Sequence, residues 1–365
     1  MTFTSLTKPT LVLVTTFFSY SILATEIPHI FSADTPAKAE EVNENFAVLA
    51  DATIVLKNIN NVAEDIEVNC IDNPTALQVA YFENLYKTAV SFNITGRCYG
   101  DLESFNGEGI QQQHGQTKFI SGDEANGGTL IPDPVSNAVS LWGTFNGGLY
   151  LTNLTIELGP NGIIGFSRNS QGSLTKLNII GSGIAENYRT ILVQAGAQTY
   201  IGGVTVNNVN NALWVKENAV VRFYNNESGA AFTTNNVDIA IRVESGGTIR
   251  QRGGVNLNAS TYSLFMDGNS TWQADSFTNH VINSDIAIRD SSFASFAQLT
   301  FTGDSFWVDG SQVQISASDV DANKLNCSNM AQVNVDNIAD LLMTAPASNC
   351  IDDTAAARLV NLLKP

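Results

Sequence analysis

The segment Ile241-Arg-Val-Glu-Ser-Gly-Gly247 decides the fold, because its pattern recurs along the chain. Two apolar residues flank a variable one, and a polar residue and then small or turn-forming residues follow. Intervals of 19 to 28 residues separate the repeats, which is typical of a solenoid in which one supersecondary unit stacks on the next. The pattern also starts at Ile191, Leu213, Leu264, Ile286, Phe306 and Leu325.

Alternation within each segment predicts which side chains face the interior. Ile241 and Val243 share one side of a strand, whereas Arg242 and Glu244 share the other. Stacked coils place like residues over like, so the apolar sides build a continuous interior. A second strand per coil is predicted at Val204-Thr-Val206, Val255-Asn-Leu257 and Val313-Gln-Ile315, and sharp corners at Asn207-Asn208, Asn225-Asn226 and Asn235-Asn236.

These repeats resemble the right-handed parallel β-helix superfamily that includes pectate lyases and polygalacturonases, over roughly residues 94–338. The resemblance implies an all-β solenoid with helical caps at both ends. It rests on a pattern rather than a diagnostic motif, and so it indicates the fold more than an activity. The predicted organisation is a signal peptide (1–24), an N-terminal helical segment (25–62), an N-terminal cap (63–98), the parallel β-helix (99–338) and a C-terminal cap (339–365).

The first residues predict export. Lys8 precedes an apolar run from Leu11 to Leu23, which is shorter than the about 20 residues that a membrane span needs. The formal net charge of −17 argues against nucleic acid and anionic lipid as partners. We therefore expect a secreted protein, extracellular or at the cell surface, with the periplasm as an alternative, and with no membrane span and no cofactor.

The four cysteines fall into two close pairs, Cys70 with Cys98 and Cys327 with Cys350. Three pairings are formally open, but each near-neighbour pair lies at one end of the repeats. Export to an oxidising compartment favours disulfides. Metal binding is the weaker reading, because no C-x-x-C motif occurs and no histidine lies near either pair.

Both ends of the repeat region carry helix signals. Residues Ala76 to Thr88 read as an amphipathic helix that plugs the N-terminal end, with Leu77, Ala80, Tyr81 and Leu85 on one stripe. Asp352 or Asp353 begins a helix in the C-terminal cap. The segment 25–62 has a helical seam that predicts either a short coiled coil, giving a homo-oligomer, or a helix packed on its own β-helix; its members are Ala39, Val42, Phe46, Leu49, Thr53 and Leu56.

Candidate catalytic and metal-binding groups are sparse. His280 reads as a surface turn residue, and its pairing with Asp285 for catalysis is the alternative. Asp319-Val-Asp-Ala-Asn323 starts like a calcium loop but has Lys324 where the turn glycine belongs. The superfamily's hydrolases use N-T-D, G-H-G and R-I-K motifs, which are absent here. Its lyases use an arginine base, for which Arg242 and Arg289 are candidates.

One outward column of side chains stands out when the repeats are aligned. It contains Trp214, Arg242, Phe265, Ala287 and Trp307, and the next column contains Lys216, Glu244, Asp267, Arg289 and Asp309. The second column is interpreted as a ladder of stacked charges. The aromatic residues recur at every second coil, roughly 10 Å apart, a spacing that suits stacking on an extended polysaccharide. Alternatively, a loop or a partner subunit covers them.

The sequence therefore predicts a β-helix that binds a polysaccharide or a cell-surface partner without turning it over, with Trp214, Arg242, Phe265 and Trp307 as the binding residues. A polysaccharide lyase or glycoside hydrolase is the first alternative. A structural fibre or surface element is the second.

Overall fold

A computed structural model describes the chain at residues 38, 42–43, 45–46, 64–84, 87, 89–102, 117–123, 127–144, 147–186, 188–224, 229–274, 280–316, 320–321, 324–329 and 331–335. The chain divides into two compact units, Met1–Ile59 and Asn60–Pro365. In the first unit Val42, Asn43, Asn45 and Phe46 are helical. The predicted signal peptide, the rest of the helical segment 25–62 and the C-terminal cap 339–365 lie outside the described residues.

The second unit is a parallel β-solenoid of about 10 turns, as the repeats predict. Every pairing between its strands is parallel within the described ranges. The handedness of the coil stays a prediction. The strands are β1 Glu64–Cys70, β2 Ala89–Tyr99, β3 Thr117–Gly122, β4 Gly128–Ile131, β5 Ser140–Gly143, β6 Gly148–Glu157, β7 Ile163–Phe166, β8 Gln171–Ile180, β9 Ile191–Val193, β10 Gln198–Val215, β11 Val220–Phe223, β12 Phe232–Val243, β13 Thr248–Gln251, β14 Val255–Leu257, β15 Ala259–Met266, β16 Thr271–Ala274, β17 His280–Ile282, β18 Asp285–Ile288, β19 Phe293–Ala297, β20 Leu299–Phe301, β21 Phe306–Asp309, β22 Gln312–Ser316, β23 Leu325–Ser328 and β24 Gln332–Val335.

The strands from β2 onward form three ladders, which we call faces 1, 2 and 3, and β1 pairs with β2. Face 1 contains β5, β7, β9, β18, β21, β23 and the C-terminal ends of β10, β12 and β15. Face 2 contains β3, β11, β13, β16, β19, β22, β24 and the N-terminal parts of β2, β6, β8 and β10. Face 3 contains β4, β14, β17, β20, the C-terminal parts of β2, β6 and β8, the middle of β10 and the start of β12.

Like residues stack over like inside the solenoid, in the predicted register. One inward column on face 1 consists of Leu213, Ile241, Leu264, Ile286 and Phe306, all fully buried. A single coil cannot bury these side chains alone, so each coil depends on its neighbours for its core. The predicted second strands, in contrast, belong to different ladders: Val204 and Val255 lie on face 3, and Val313 lies on face 2. Each full coil has three strands rather than two.

Asparagine shapes a corner between faces 3 and 1, as predicted. Asn208 and Asn236 have φ values of 60° and 51°, in the left-handed region that Asn tolerates better than most residues. Their side chains form a ladder from coil to coil, in which the amide of Asn236 donates to Oδ1 of Asn208 at 3.0 Å. Asn235 donates to Asn207 in the same way. Asn225 and Asn226 lie outside the described residues.

A short helix, α1, spans Ala76–Glu83 and contacts β1 and β2. Leu77 and Tyr81 from its predicted apolar stripe are buried. The helix ends at Glu83, earlier than the predicted Thr88. The side-chain amide of Asn84, which follows the helix, donates to the carbonyl of Ala80 at 2.7 Å. Strand β1 before it was not predicted, and the closing of the solenoid's end by this helix stays a prediction. No helix of the described residues has the length and hydropathy of a membrane span.

A disulfide joins Cys70 to Cys98, with their Cα atoms 5.2 Å apart. The predicted N-terminal pairing is therefore confirmed. Cys70 pairs with Gly96 in the ladder between β1 and β2, which places it close to Cys98, two residues further along β2. Cys327 is also disulfide-bonded. Its predicted partner, Cys350, lies outside the described residues, and this second pairing stays a prediction.

Candidate functional site

The outward column predicted on face 1 exists in the predicted register. Trp214 pairs with Arg242, Arg242 with Phe265, Phe265 with Ala287, and Ala287 with Trp307. These residues alternate with fully buried neighbours along each strand, so their side chains leave the interior. Neighbouring members of the column are about 4.8 Å apart along the solenoid.

Trp214 is covered, contrary to the prediction of an exposed aromatic stripe. Only 8% of Trp214 is exposed. The connection between β8 and β9 crosses this part of face 1: Tyr188 meets the indole edge-on with ring centroids 5.8 Å apart, and the guanidinium of Arg189 lies 5.3 Å from the indole centroid. Covering by a loop, the alternative left open by the sequence, applies to this end of the column.

Arg242 is held inside the same cluster. Its guanidinium lies 4.7 Å from the centroid of Trp214 and 5.4 Å from that of Phe265, so it is sandwiched between two rings. Nε of Arg242 also donates to Oε1 of Glu244 at 2.6 Å, and the indole N–H of Trp214 donates to Oε2 of Glu244 at 3.0 Å. Because Arg242 is ion-paired with Glu244 and lies between two rings, this group stabilises the solenoid and is poorly placed to act as a catalytic base.

The other end of the column is open at Trp307, although Ala287 is buried. Trp307 is 45% exposed, and its indole N–H donates to Oγ of Ser328 at 3.2 Å, which fixes the ring. Phe265 is half-buried against Tyr262, with ring centroids 5.6 Å apart. Ala287 lies between Phe265 and Trp307 in the ladder. Two aromatic rings thus flank a small residue, one on each side, about 10 Å apart across two coils.

Acidic groups border this open end. Asp267 follows Phe265 by two residues and is half-buried. Burial, a hydrogen bond to Asp290 and the charge of Asp290 raise the pKa of Asp267, while the backbone N–H of Gly268 and the charge of Arg289 oppose the shift. Asp309 accepts hydrogen bonds from Ser328 and Asn329. Asp267 and Asp309 thus place carboxyl groups beside Phe265 and Trp307.

The predicted charge ladder is only partly a ladder between coils. Lys216 pairs with its sequence neighbour Glu217 at 3.0 Å rather than with Glu244. Glu244 pairs with Arg242, two residues before it. Lys216 and Glu244 thus find their charged partners within their own coils, whereas Asp267 and Asp309 interact with residues of the next coil.

His280 is fully buried, and the expectation of a surface histidine is wrong. Its Nδ1 lies 2.6 Å from Nε2 of Gln251 in the neighbouring coil. The carboxylate of Asp285 accepts the backbone N–H groups of Asp304 and Ser305 instead of orienting an imidazole. His280 faces inward because it pairs with Val255 and so continues the inward column of Val255 on face 3.

Among the described residues, no cluster of three or more His, Cys, Asp or Glu side chains has the geometry of a metal site. The calcium-loop candidate Asp319–Asn323 lies largely outside the described residues, with only Val320 and Asp321 inside them.

Sequence reasoning missed a second outward column, on face 2. It contains Phe119 and Tyr150, stacked with centroids 4.7 Å apart, and then Tyr200, Arg222 and Arg250 on later coils. The sequence could have indicated this column, because a short alternating segment follows each face 1 segment after a short turn. These segments are Thr199-Tyr-Ile201, Val221-Arg-Phe223 and Ile249-Arg-Gln251.

No family model, curated protein or solved structure matches this chain.

Proposed function

We propose that this chain is an exported β-helix that binds a polysaccharide at the open end of face 1, through Trp307 and Phe265, without turning it over. The observation that carries the proposal is the exposed indole of Trp307, which is hydrogen-bonded to Ser328 and lies two coils from Phe265 in the same column. Aromatic rings stack on the apolar faces of sugars, and a polymer that runs along the solenoid axis meets one ring at every second coil.

The binding site is smaller than the one that the sequence predicts. Trp214 and Arg242 support Phe265 from below, because Arg242 lies between the two rings. Asp267 and Asp309 supply acceptors at the rim. The apolar run before Ala24 and the disulfide Cys70–Cys98 support export, since disulfides persist in oxidising compartments.

The test compares Trp307→Ala with Trp307→Phe in the full chain. Both variants lose the hydrogen bond to Ser328, so the pair isolates the effect of the ring. A glycan array of neutral polysaccharides identifies a ligand, and calorimetry then measures its affinity. We expect Trp307→Ala to weaken binding by roughly 1–3 kcal/mol, by analogy with base–aromatic stacking, and Trp307→Phe to retain most of it.

Equal affinities for the wild type and both variants would rule out this site. Assays for new reducing ends and for unsaturated products on the same ligand separate binding from the hydrolase and lyase alternatives. Binding to none of the arrayed glycans would favour the structural alternative, a fibre or surface element.

A further inference from the structure

Face 2 segregates charge in a way that the composition does not predict. The chain has 35 acidic and 18 basic residues. Two adjacent outward columns nevertheless run along face 2 from β2 to β24 without a single acidic residue, and Asp65 of β1, which pairs with Ser91, follows only at the N-terminal end of one of them. One contains Ala89, Thr117, Gly148, Gln171, Gln198, Val220, Thr248, Thr271, Phe293, Gln312 and Gln332; the other contains Ser91, Phe119, Tyr150, Ser173, Tyr200, Arg222, Arg250, Gln273, Ser295, Gln314 and Asn334.

Arginine supplies the only charges in these columns. Arg222 and Arg250 stand on consecutive coils, with their Cα atoms paired across the ladder. Like charges directly opposite each other destabilise a sheet. Within the part of the chain that the structure describes, neither Arg222 nor Arg250 forms an ion pair with a carboxylate. The two guanidinium groups therefore lack the carboxylate that would normally compensate them.

A tyrosine hydroxyl completes a set of donors. NH1 of Arg222 donates to the hydroxyl oxygen of Tyr200 at 2.7 Å and to Oε1 of Gln198 at 3.3 Å. The guanidinium also lies 5.3 Å from the centroid of the Tyr200 ring. Because the hydroxyl of Tyr200 accepts from Arg222, its own proton is left to donate outward. Tyr200 is 43% exposed, and Arg250 is exposed.

A second tyrosine lies flat beside this set. A Cβ atom added to Gly202 would lie 2.5 Å from Cζ of Tyr224, so the ring of Tyr224 rests directly on the backbone of Gly202. Its hydroxyl is hydrogen-bonded to Thr175 at 2.5 Å. The glycine thus makes room for an aromatic platform one column away from Tyr200 and Arg222.

We propose that Tyr200, Arg222 and Arg250 form a binding site for the sulfate ester groups of a sulfated polysaccharide. Three donors approach from three consecutive coils, which matches the oxygens of a tetrahedral oxyanion better than the two coplanar oxygens of a carboxylate. The ring of Tyr224 supports the sugar that carries the ester. This site is separate from the open end of face 1 and stands without it.

Charge density favours a sparsely sulfated glycan over a nucleic acid. The net charge of −17 opposes the approach of any polyanion, and most strongly that of DNA, which carries one charge per about 1.7 Å of duplex axis. The arginines of face 2 are confined to this local strip, whereas a nucleic-acid site usually has a broad basic surface. A polymer with sulfate groups along a neutral backbone needs only the strip.

The experiment uses the full chain and three polymers with one backbone: dextran, and carboxymethyl-dextran and dextran sulfate at the same low degree of substitution. We expect dextran sulfate to bind at roughly 0.15 M salt, more weakly as salt is raised. Carboxymethyl-dextran should bind about tenfold less tightly, the difference made by one well-placed charged hydrogen bond. Dextran should not bind.

Two variants with the same change of charge localise the effect. Arg250→Gln should weaken the binding of dextran sulfate by about tenfold. Arg97→Gln, which removes an exposed arginine that is paired with Glu157 at 2.7 Å on face 3, should change it less than twofold. Trp307→Ala should leave dextran sulfate binding unchanged, so that failure here is distinct from failure of the face 1 site.

Four outcomes would overturn the proposal. The first is no binding of dextran sulfate by the wild type, and the second is equal affinity in Arg250→Gln. The third is carboxymethyl-dextran binding as tightly as dextran sulfate. The fourth is single-stranded DNA binding more tightly than dextran sulfate, which would assign the strip to nucleic acid.

Discussion

At the scale of single residues, Gln251 and His280 are the informative pair, because both are polar and both lie in the core. Nε2 of Gln251 donates to the carbonyl of Gly253 at 2.9 Å and approaches Nδ1 of His280 at 2.6 Å. A carbonyl only accepts, so the amide nitrogen must point this way, and Nδ1 of His280 must then be an acceptor. The imidazole is neutral, with its proton on Nε2. Burial lowers the pKa of His280 to about 4.

This residue should make the solenoid sensitive to acid. In the unfolded chain His280 has an ordinary pKa of about 6.5. Between pH 6.5 and 4 His280 is therefore protonated in the unfolded state but neutral in the folded state. The contribution to stability is full above pH 6.5, falls as the pH drops, and levels off below about 4. The total loss is on the order of 3 kcal/mol.

Denaturant unfolding of the wild type and His280→Asn, measured across this range, checks the expectation. Asparagine keeps an acceptor for Gln251 but cannot take up a proton. The difference in unfolding free energy between the two proteins should shrink as the pH falls from 7 to 4. A constant difference would mean that His280 is not buried in its neutral form.

At the scale of elements, strand β15 places a core residue next to a residue of the proposed binding site. Met266 points inward and is fully buried, whereas Phe265 points outward and is half-buried beside Arg242 and Tyr262. Met266→Ala leaves a cavity in the core and should lower the free energy of unfolding by roughly 2–5 kcal/mol. Phe265→Ala removes ring contacts at the surface, which are worth about 1 kcal/mol.

Equilibrium unfolding in urea measures both variants against the wild type. The glycan affinity should respond in the opposite order, with Phe265→Ala weakening binding and Met266→Ala leaving it intact at temperatures where the variant is folded. Equal losses of stability in the two variants would show that Phe265 is covered and would remove it from the proposed site.

Elements also explain why Trp214 could not be assigned from the repeats. The position of Trp214 in the outward column follows from the alternation within its strand, which is a local property of the sequence. Its cover comes from Tyr188 and Arg189, which belong to a connection outside the repeated pattern. A loop has no period that predicts where it packs.

At the scale of the whole molecule, the disulfide Cys70–Cys98 anchors the first strand of the solenoid. It closes a loop with a sequence separation of 28 that includes α1. In the chain-entropy model a loop of this length stabilises the folded state by about 3–4 kcal/mol. We expect the double variant Cys70→Ala, Cys98→Ala to unfold at correspondingly lower denaturant concentration, with the far-ultraviolet circular dichroism of a β-protein unchanged below the transition.

A matched control for this prediction is the wild type with its disulfides reduced, which should shift in the same direction. A loss below about 1 kcal/mol in the double variant would mean that the parallel ladder between β1 and β2 holds the strand without the covalent link.

The sequence alone determined the parallel solenoid, its register and the close pairing of Cys70 with Cys98. Apolar residues at Leu213, Ile241 and Leu264 are spaced so that each coil can be buried only by stacking like on like, and the alternation within a strand then assigns every side chain to the inside or the outside. The alternation and the spacing of the repeats are properties of the sequence itself, so they can be recognised without the structure.

Only the tertiary structure decided which outward residues meet solvent. The third strand of each coil, the loop over Trp214, the inward turn of His280 and the acid-free strip around Arg222 and Arg250 all depend on where separate coils and connections come to lie beside one another. Exposure is a property of neighbours in space. Residues that are 20 or more positions apart in sequence create those neighbours, as with the 22 positions between Tyr200 and Arg222.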